Sequence, residues 1–242
     1  GLGDVYKRQV LGIIGGLGPA ASVYFQNLLV NMTKADLDQD HLDYIVTSRA
    51  STPDRTLFLT GKSDESPLPY LIEDAKKLQA AGANVICMVC NTSHYFFDEV
   101  ASSVDAHFVN MLEESVKLAI SKGKKCIGLM TTTGTMKTEL YPKTCEKHGI
   151  DYVVLDDAWQ EKIMEIIYGE IKAGKECNMD LFHSIIDEYK RRGCDCVLLG
   201  CTELSTIYID KGFDKDFFID SSTALAVSYT HLRPHETLRY LG

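Results

Sequence analysis

Short apolar runs rich in Val, Ile and Leu alternate along the chain with longer stretches in which apolar residues recur every three or four positions. The runs at 10–14, 44–47, 85–89, 107–109, 126–130, 152–155, 196–199 and 217–219 predict eight strands. Several of them, such as 85–89, are apolar at successive positions instead of alternating, as strands buried on both faces of a parallel sheet must be. The helical periods between them supply covering layers, so the pattern predicts an α/β protein. Eight strands suit two lobes, each a four-stranded, mainly parallel sheet flanked by helices.

Self-similarity supports the division. VLGIIGGLGP at 10–19 lies over CIGLMTTTGT at 126–135 without a gap, matching Gly12 with Gly128 and Gly18 with Gly134. At nearly the same offset, ICMVCNT at 86–92 lies over VLLGCTE at 197–203 and puts Cys90 on Cys201. Two similar offsets point to a duplicated unit of strand, small-residue turn and helix. The expected organisation is one lobe from 10–109 with 217–227, and a second from 110–216. A helix starting near Ser222 is expected to return the last strand to the first lobe. The two ends, GLGDVYKRQ at 1–9 and SYTHLRPHETLRYLG at 228–242, resemble translated sequencing adapters and are set aside from fold and function.

Composition narrows the function. A chain of 242 residues with 45% hydrophobic content can bury a substantial core. A net charge of −9 opposes binding to phosphate backbones, so no nucleic-acid partner is expected. No apolar run approaches the roughly 20 residues that cross a bilayer, so no membrane partner is expected either. Of the eight cysteines, Cys87, Cys126 and Cys196 sit inside apolar runs, where a free thiol acts as a small hydrophobe. That usage points to a reducing, cytoplasmic setting.

Cys90 and Cys201 differ from the rest. Each ends an apolar strand and is followed by small polar residues that open a helix, Asn91-Thr92-Ser93 and Thr202-Glu203. Ligand sites in parallel α/β sheets form at the carboxyl ends of strands, and a helix N-terminus there favours thiolate. Either cysteine alone reads as a buried hydrophobe; their matched placement points to chemistry. Cys87 and Cys90 form C-x-x-C, but residues three apart on a strand face opposite ways, and Cys194, Cys196, Cys201 and His94 match no zinc spacing. No metal is expected.

Other candidates are weaker. GIIGGLGPAA at 12–21 fits the relaxed dinucleotide pattern, yet the second strand lacks the acid that would hold a ribose. Arg49 leaves a minor alternative in a 2′-phosphate; the preferred interpretation is a tight turn whose amides approach a small anion. Arg55, after a Pro-Asp turn, can hold a carboxylate with two hydrogen bonds or can be an ordinary loop arginine. Thr131 to Thr135 offers hydroxyls and amides at the equivalent turn of the second half, and Lys172 sits near a helix end.

Taken together, GIIGGLGPAAS at Gly12, PDRT at Pro53, CNTSH at Cys90, TTTGT at Thr131, IYGEIKAG at Ile167 and GCTEL at Gly200 resemble the aspartate/glutamate racemase family, its aspartate racemase branch in particular. The D-S-G-x-G-G turn of the glutamate racemases lacks its Asp and Ser here. The resemblance implies two pseudosymmetric lobes with the site in the cleft between them, a homodimer, and no pyridoxal phosphate or metal. It implies that Cys90 and Cys201 are the catalytic thiols of a two-base proton transfer. It places Asn91, Thr92, Thr131, Thr133 and Thr202 around the substrate's α-carboxylate and amino group, and Arg55 and Lys172 at its acidic side chain. The expected activity is cofactor-independent racemisation, of aspartate first. The alternatives are a dicarboxylate isomerase or hydantoin racemase on the same scaffold, or a non-catalytic amino-acid-binding protein.

Overall fold

Eight strands form two sheets in the computed structural model, which describes residues 9–230. The first half contributes β1 (Val10–Gly15), β2 (Asp43–Ser48), β3 (Val85–Met88) and β4 (His107–Val109). The second contributes β5 (Cys126–Thr131), β6 (Asp151–Val153), β7 (Cys196–Gly200) and β8 (Phe218–Asp220). Their orders are β2-β1-β3-β4 and β6-β5-β7-β8, and every pairing is parallel. The orders correspond strand for strand, as the internal repeat requires. The central strands β3 and β7 are buried along their whole length, which accounts for their unbroken apolar runs, whereas β2 lies at an edge and is half-buried.

Helices fill the connections. Those of the first half are α1 (Pro19–Met32), α2 (Arg55–Leu59), α3 (Leu68–Ala80), α4 (Phe97–Ala101) and α5 (Met111–Ser121). Those of the second are α6 (Thr133–Lys137), α7 (Leu140–His148), α8 (Asp157–Met164), α9 (Met179–Arg191), α10 (Thr202–Asp210) and α11 (Ser221–Thr230). A 3-10 turn, Thr92–Phe96, precedes α4, and a π-helical turn, Glu165–Ile171, extends α8.

The last helix of each half covers the sheet of the other. Leu112, Val116 and Ala119 of α5 pack with Ile127, Leu129 and Ile219 of the second sheet. In return, Leu225, Ala226 and Tyr229 of α11 pack with Leu11, Ile13 and Phe25 of the first lobe. Both helices start on a side-chain cap at the end of the fourth strand: Asn110 accepts from the N–H groups of Leu112 and Glu113, and Asp220 from that of Thr223. This exchange corrects the expected boundary. Only the helix returns to the first lobe; the strand before it pairs with β7, Val197 opposite Phe218. Phe218 also stacks on Phe213, which stacks on Phe182, within the second lobe's core. Of the ends set aside as adapter-like, residues 1–8 and 231–242 lie outside the described residues. Residues 228–230 continue α11 without a break, and Tyr229 is buried.

His94 fixes the turn after β3 to the start of α5. Its Nε2 accepts from the Met111 N–H at 3.0 Å, so the ring proton lies on Nδ1, which donates to the Cys90 carbonyl at 2.9 Å. Both ring nitrogens are used only in the neutral form, and burial depresses the His94 pKa to about 4. An unfolded histidine titrates near 6.5. Between these values the unfolded chain binds a proton that the folded chain refuses, so stability is lost as pH falls from 6.5 toward 4. The expected slope from this group is at most about 1.4 kcal/mol per pH unit. Urea unfolding of His94→Asn is expected to show a flatter stability profile across that window; an unchanged slope would contradict a buried neutral imidazole.

Candidate active site

Cys90 and Cys201 stand just past the carboxyl ends of β3 and β7, the equivalent central strands of the two sheets. Both are buried, and both line one narrow cavity. The first lobe also brings Leu17, Arg55, Thr56, Asn91 and Thr92 to it; the second brings Thr132, Tyr168, Lys172, Thr202 and Glu203. Cys87 belongs to the core cluster on the other face of the first sheet, so the C-x-x-C pair is indeed split. Among the described residues no three His, Cys, Asp or Glu side chains converge to hold a metal ion.

The two thiols have opposite electrostatic neighbours. Cys201 Sγ donates to Glu203 Oε2 at 2.9 Å, and α10 begins at the next residue. Burial first, and then the Glu203 charge, hold the Cys201 thiol well above its ordinary range, with Lys172 acting the other way. Glu203 Oε1 is buried with no hydrogen-bond partner among the described residues and lies 3.6 Å from Lys172 Nζ. It fits against the turn before α1 only because residue 18 is glycine. A Cβ there would sit 2.8 Å from Glu203 Oε1, on a backbone with φ of +126°.

Cys90 faces a cation. Arg55 is buried; its Nη1 donates to the carbonyls of Thr52 and Pro53, and its Nη2 to that of Leu17. Burial works against the Arg55 charge, but Cys90 and then Asp54 outweigh it and hold the guanidinium above its ordinary value. Arg55 Nε is left without a hydrogen-bond partner among the described residues. The expected helix N-terminus behind Cys90 is only the 3-10 turn Thr92–Phe96, so the positive charge at this thiol comes from Arg55 instead of an α-helix.

Hydroxyls line the seam between the lobes. Thr92 Oγ1 lies 3.1 Å from Thr132 Oγ1 and 2.9 Å from Thr135 Oγ1, and Thr56 Oγ1 donates to Thr132 Oγ1 at 3.3 Å. Gly134 lets the halves approach this closely, since a Cβ on it would meet Thr56 Cα at 3.0 Å. The residue of this turn that lines the cavity is therefore Thr132, not the expected Thr131 and Thr133. The Thr131 side chain is buried at the end of β5 beside the Thr132 carbonyl, and Thr133 faces an outer pocket with Gln160 and Met164. Strand alternation, continued one residue past β5, is the signal that separates them. Asn91 lines the cavity, but its amide also ties the halves together, donating to Ser221 Oγ at 3.0 Å and accepting from Tyr141 Oη at 2.5 Å.

Lys172 reaches the cavity wall from the residue after the π-helical turn, with Asp54 Oδ2 at 3.7 Å and Glu203 Oε1 at 3.6 Å. Thr56, Tyr168 and Glu203 were absent from the expected set, although each lies within a motif already singled out: PDRT, IYGEIKAG and GCTEL. The dinucleotide alternative loses its anchor. Arg49 is committed to Asp74, with Nε at 3.0 Å and Nη2 at 2.7 Å from Oδ1, and to Glu73 at 3.1 Å.

Known proteins resemble this chain in sequence and fold. Broad specificity amino-acid racemase RacX of Bacillus subtilis (strain 168) is 23% identical over 227 residues, covering 90% of this chain and 96% of that protein. The solved structure of Picrophilus torridus aspartate racemase matches with a TM-score of 0.78 at 29% identity, covering 92% of this chain and 94% of that one. An aspartate racemase homologue from Pyrococcus horikoshii OT3 matches at 0.73 and 26% identity, covering 92% and 99%. The model of the Asp/Glu/hydantoin racemase family matches residues 14–229. The chain belongs to that family.

Proposed function

We propose that the protein racemises aspartate by a two-base proton transfer between Cys90 and Cys201, without pyridoxal phosphate or metal, and that it works as a homodimer. The observation that carries the mechanism is that two thiols, at equivalent ends of two equivalent sheets, line one cavity. Inversion at an α-carbon requires a base on one face and an acid on the other, which a single side chain cannot supply without moving across the substrate.

In one direction a Cys90 thiolate, with Arg55 as its counterion, removes the α-proton. The Cys201 thiol then protonates the opposite face of the carbanion. The reverse direction uses a Cys201 thiolate, whose proton Glu203 is placed to take. Each turnover leaves the thiolate on the other side, and exchange of protons with solvent resets the pair. The α-proton is weakly acidic, so the carbanion needs hydrogen bonds to its carboxylate in a site closed to water. Arg55 Nε is a donor without a partner among the described residues, and the hydroxyls of Thr92, Thr132 and Thr202, which bond to neighbouring side-chain oxygens, line the same cavity and can turn to the carboxylate. Aspartate as substrate is supported by the Picrophilus torridus relative and by the two cations at the cavity. The RacX relative supports a second possibility, a wider range of amino acids.

Cys90→Ala and Cys201→Ala are each expected to lower racemisation by more than about a thousandfold, measured by polarimetry on L- and D-aspartate. Substantial turnover in either variant would sink the two-base mechanism. Glu203→Gln keeps the shape and removes the carboxylate that receives the Cys201 proton. It is expected to lower kcat by about a hundredfold in the direction that starts on Cys201 and far less in the other, with KM in the first direction falling in step, because an equilibrium constant of one between enantiomers keeps the two kcat/KM values equal. Equal losses of kcat in both directions, with the ratio of the two KM values unchanged, would assign Glu203 a structural role only.

A further inference from the structure

The cavity that holds both thiols is narrow and largely enclosed, yet two wider pockets flank it. Tyr168 stands in the wall toward one, with Leu57 and Gln160 beyond it; Lys172 stands in the wall toward the other, with Gly18 and Thr206 beyond it. Both wall residues come from the π-helical region of the second lobe, where the Lys172 N–H donates to the Ile167 carbonyl five residues back. Both are held by one residue of the first lobe, Asp54. The Tyr168 hydroxyl donates to its carboxylate, 3.1 Å from Oδ2 and 3.3 Å from Oδ1, and Lys172 Nζ lies 3.7 Å from Oδ2. The ammonium also lies 4.2 Å from the Tyr168 ring centre, so the three groups form a closed set.

We propose that Asp54 is a positioning residue which, through the Tyr168 hydroxyl and the Lys172 ammonium, clamps the two lobes together and shuts the wall of the two-cysteine cavity. The carboxylate has two separable tasks. It caps α2 by accepting from the Leu57 N–H at 2.9 Å, within its own lobe, and it holds Tyr168 and Lys172 of the other lobe. The charge states suit a clamp. Burial acts to raise the Asp54 carboxyl, but the Leu57 N–H, Lys172 and Arg55 together hold it below its ordinary value, so it stays an acceptor. Burial pushes the Tyr168 phenol up to about 12, so it stays a donor. Tyr168 shares the wall toward the first pocket with Thr56, and Lys172 shares the wall toward the second with Arg55 and Glu203, so release of the clamp loosens both walls between the flanking pockets and the thiols.

The test is site-resolved alkylation of the whole protein by iodoacetamide, read by peptide mass mapping, in Asp54→Asn and Tyr168→Phe. Asn retains the helix cap and removes the charge; Phe retains the ring under Lys172 and removes the hydroxyl. Each is expected to speed alkylation of Cys90 and Cys201 about tenfold while Cys87, Cys145 and Cys196, buried in the cores, keep their rates. The double variant is expected to be little faster than either single one, because both break the same clamp. Unchanged rates at Cys90 and Cys201, equal acceleration at all five cysteines, or additive effects in the double variant would each overturn the proposal. These outcomes do not depend on turnover. A kinetic arm rests on the racemase function proposed above: a clamp that encloses substrate and transition state alike is expected to raise KM about tenfold in both variants with kcat changed less than about threefold. A fall in kcat at unchanged KM would place Asp54 in the chemical step instead.

Discussion

Two thiols can meet across one cavity only if the carboxyl ends of two separate sheets are held facing each other. The reciprocal packing of α5 on the second sheet and α11 on the first supplies that constraint. Each crossing helix buries apolar side chains in the opposite half, so neither lobe completes its core alone, and separating the halves exposes both sets at once. Polar links then set the spacing at the seam. Asn91 bonds to Tyr141 and Ser221, and the hydroxyls of Thr56, Thr92, Thr132 and Thr135 form one cluster. Gly134 removes the side chain that would hold these surfaces apart.

The duplicated scaffold carries an unequal site. Equivalent positions in the two sheets present the cysteines, but the first half surrounds its thiol with Arg55 and a short 3-10 turn, whereas the second sets Glu203 and the start of α10 beside its thiol. A pair of identical thiols in identical surroundings would compete for one proton without preference. Unequal partners set the two thiols apart, with a cation beside Cys90 and a carboxylate that holds the Cys201 thiol in its protonated form, and the two-base transfer proposed above rests on that difference. Lys172, set between Asp54 and Glu203, joins this electrostatic arrangement to the closure of the cavity wall.

Much of this was legible in the sequence for physical reasons. Unbroken apolar runs as short and β-branched as VICMV suit strands covered on both faces, and a repeat that overlays Cys90 on Cys201 predicts equivalent places for the two residues, which they occupy at the ends of equivalent strands. The assignment of the last strand failed because strand pairing is non-local. Nothing within residues 217–219 records that the neighbour is β7, and only the helix after it crosses to the other lobe. Among the threonines, the choice between Thr131, Thr132 and Thr133 depends on which way one strand end points, a single-residue phase that a run of like residues conceals. Asp54 and Tyr168 lie in motifs visible from the start, yet their contact spans 114 residues of chain and appears only once the lobes are brought together.

The most direct measurement follows the isotope at the α-carbon. Purified protein, without added cofactor, is incubated with L-aspartate in heavy water, and deuterium in each enantiomer is measured during the first turnovers. Two opposed thiols predict that D-aspartate carries deuterium from its first appearance while the remaining L-aspartate still holds protium, because the acid that delivers the new hydrogen is not the base that removed the old one. D-aspartate that retains the original protium would contradict two-base racemisation, and the absence of both exchange and inversion would contradict aspartate as the substrate.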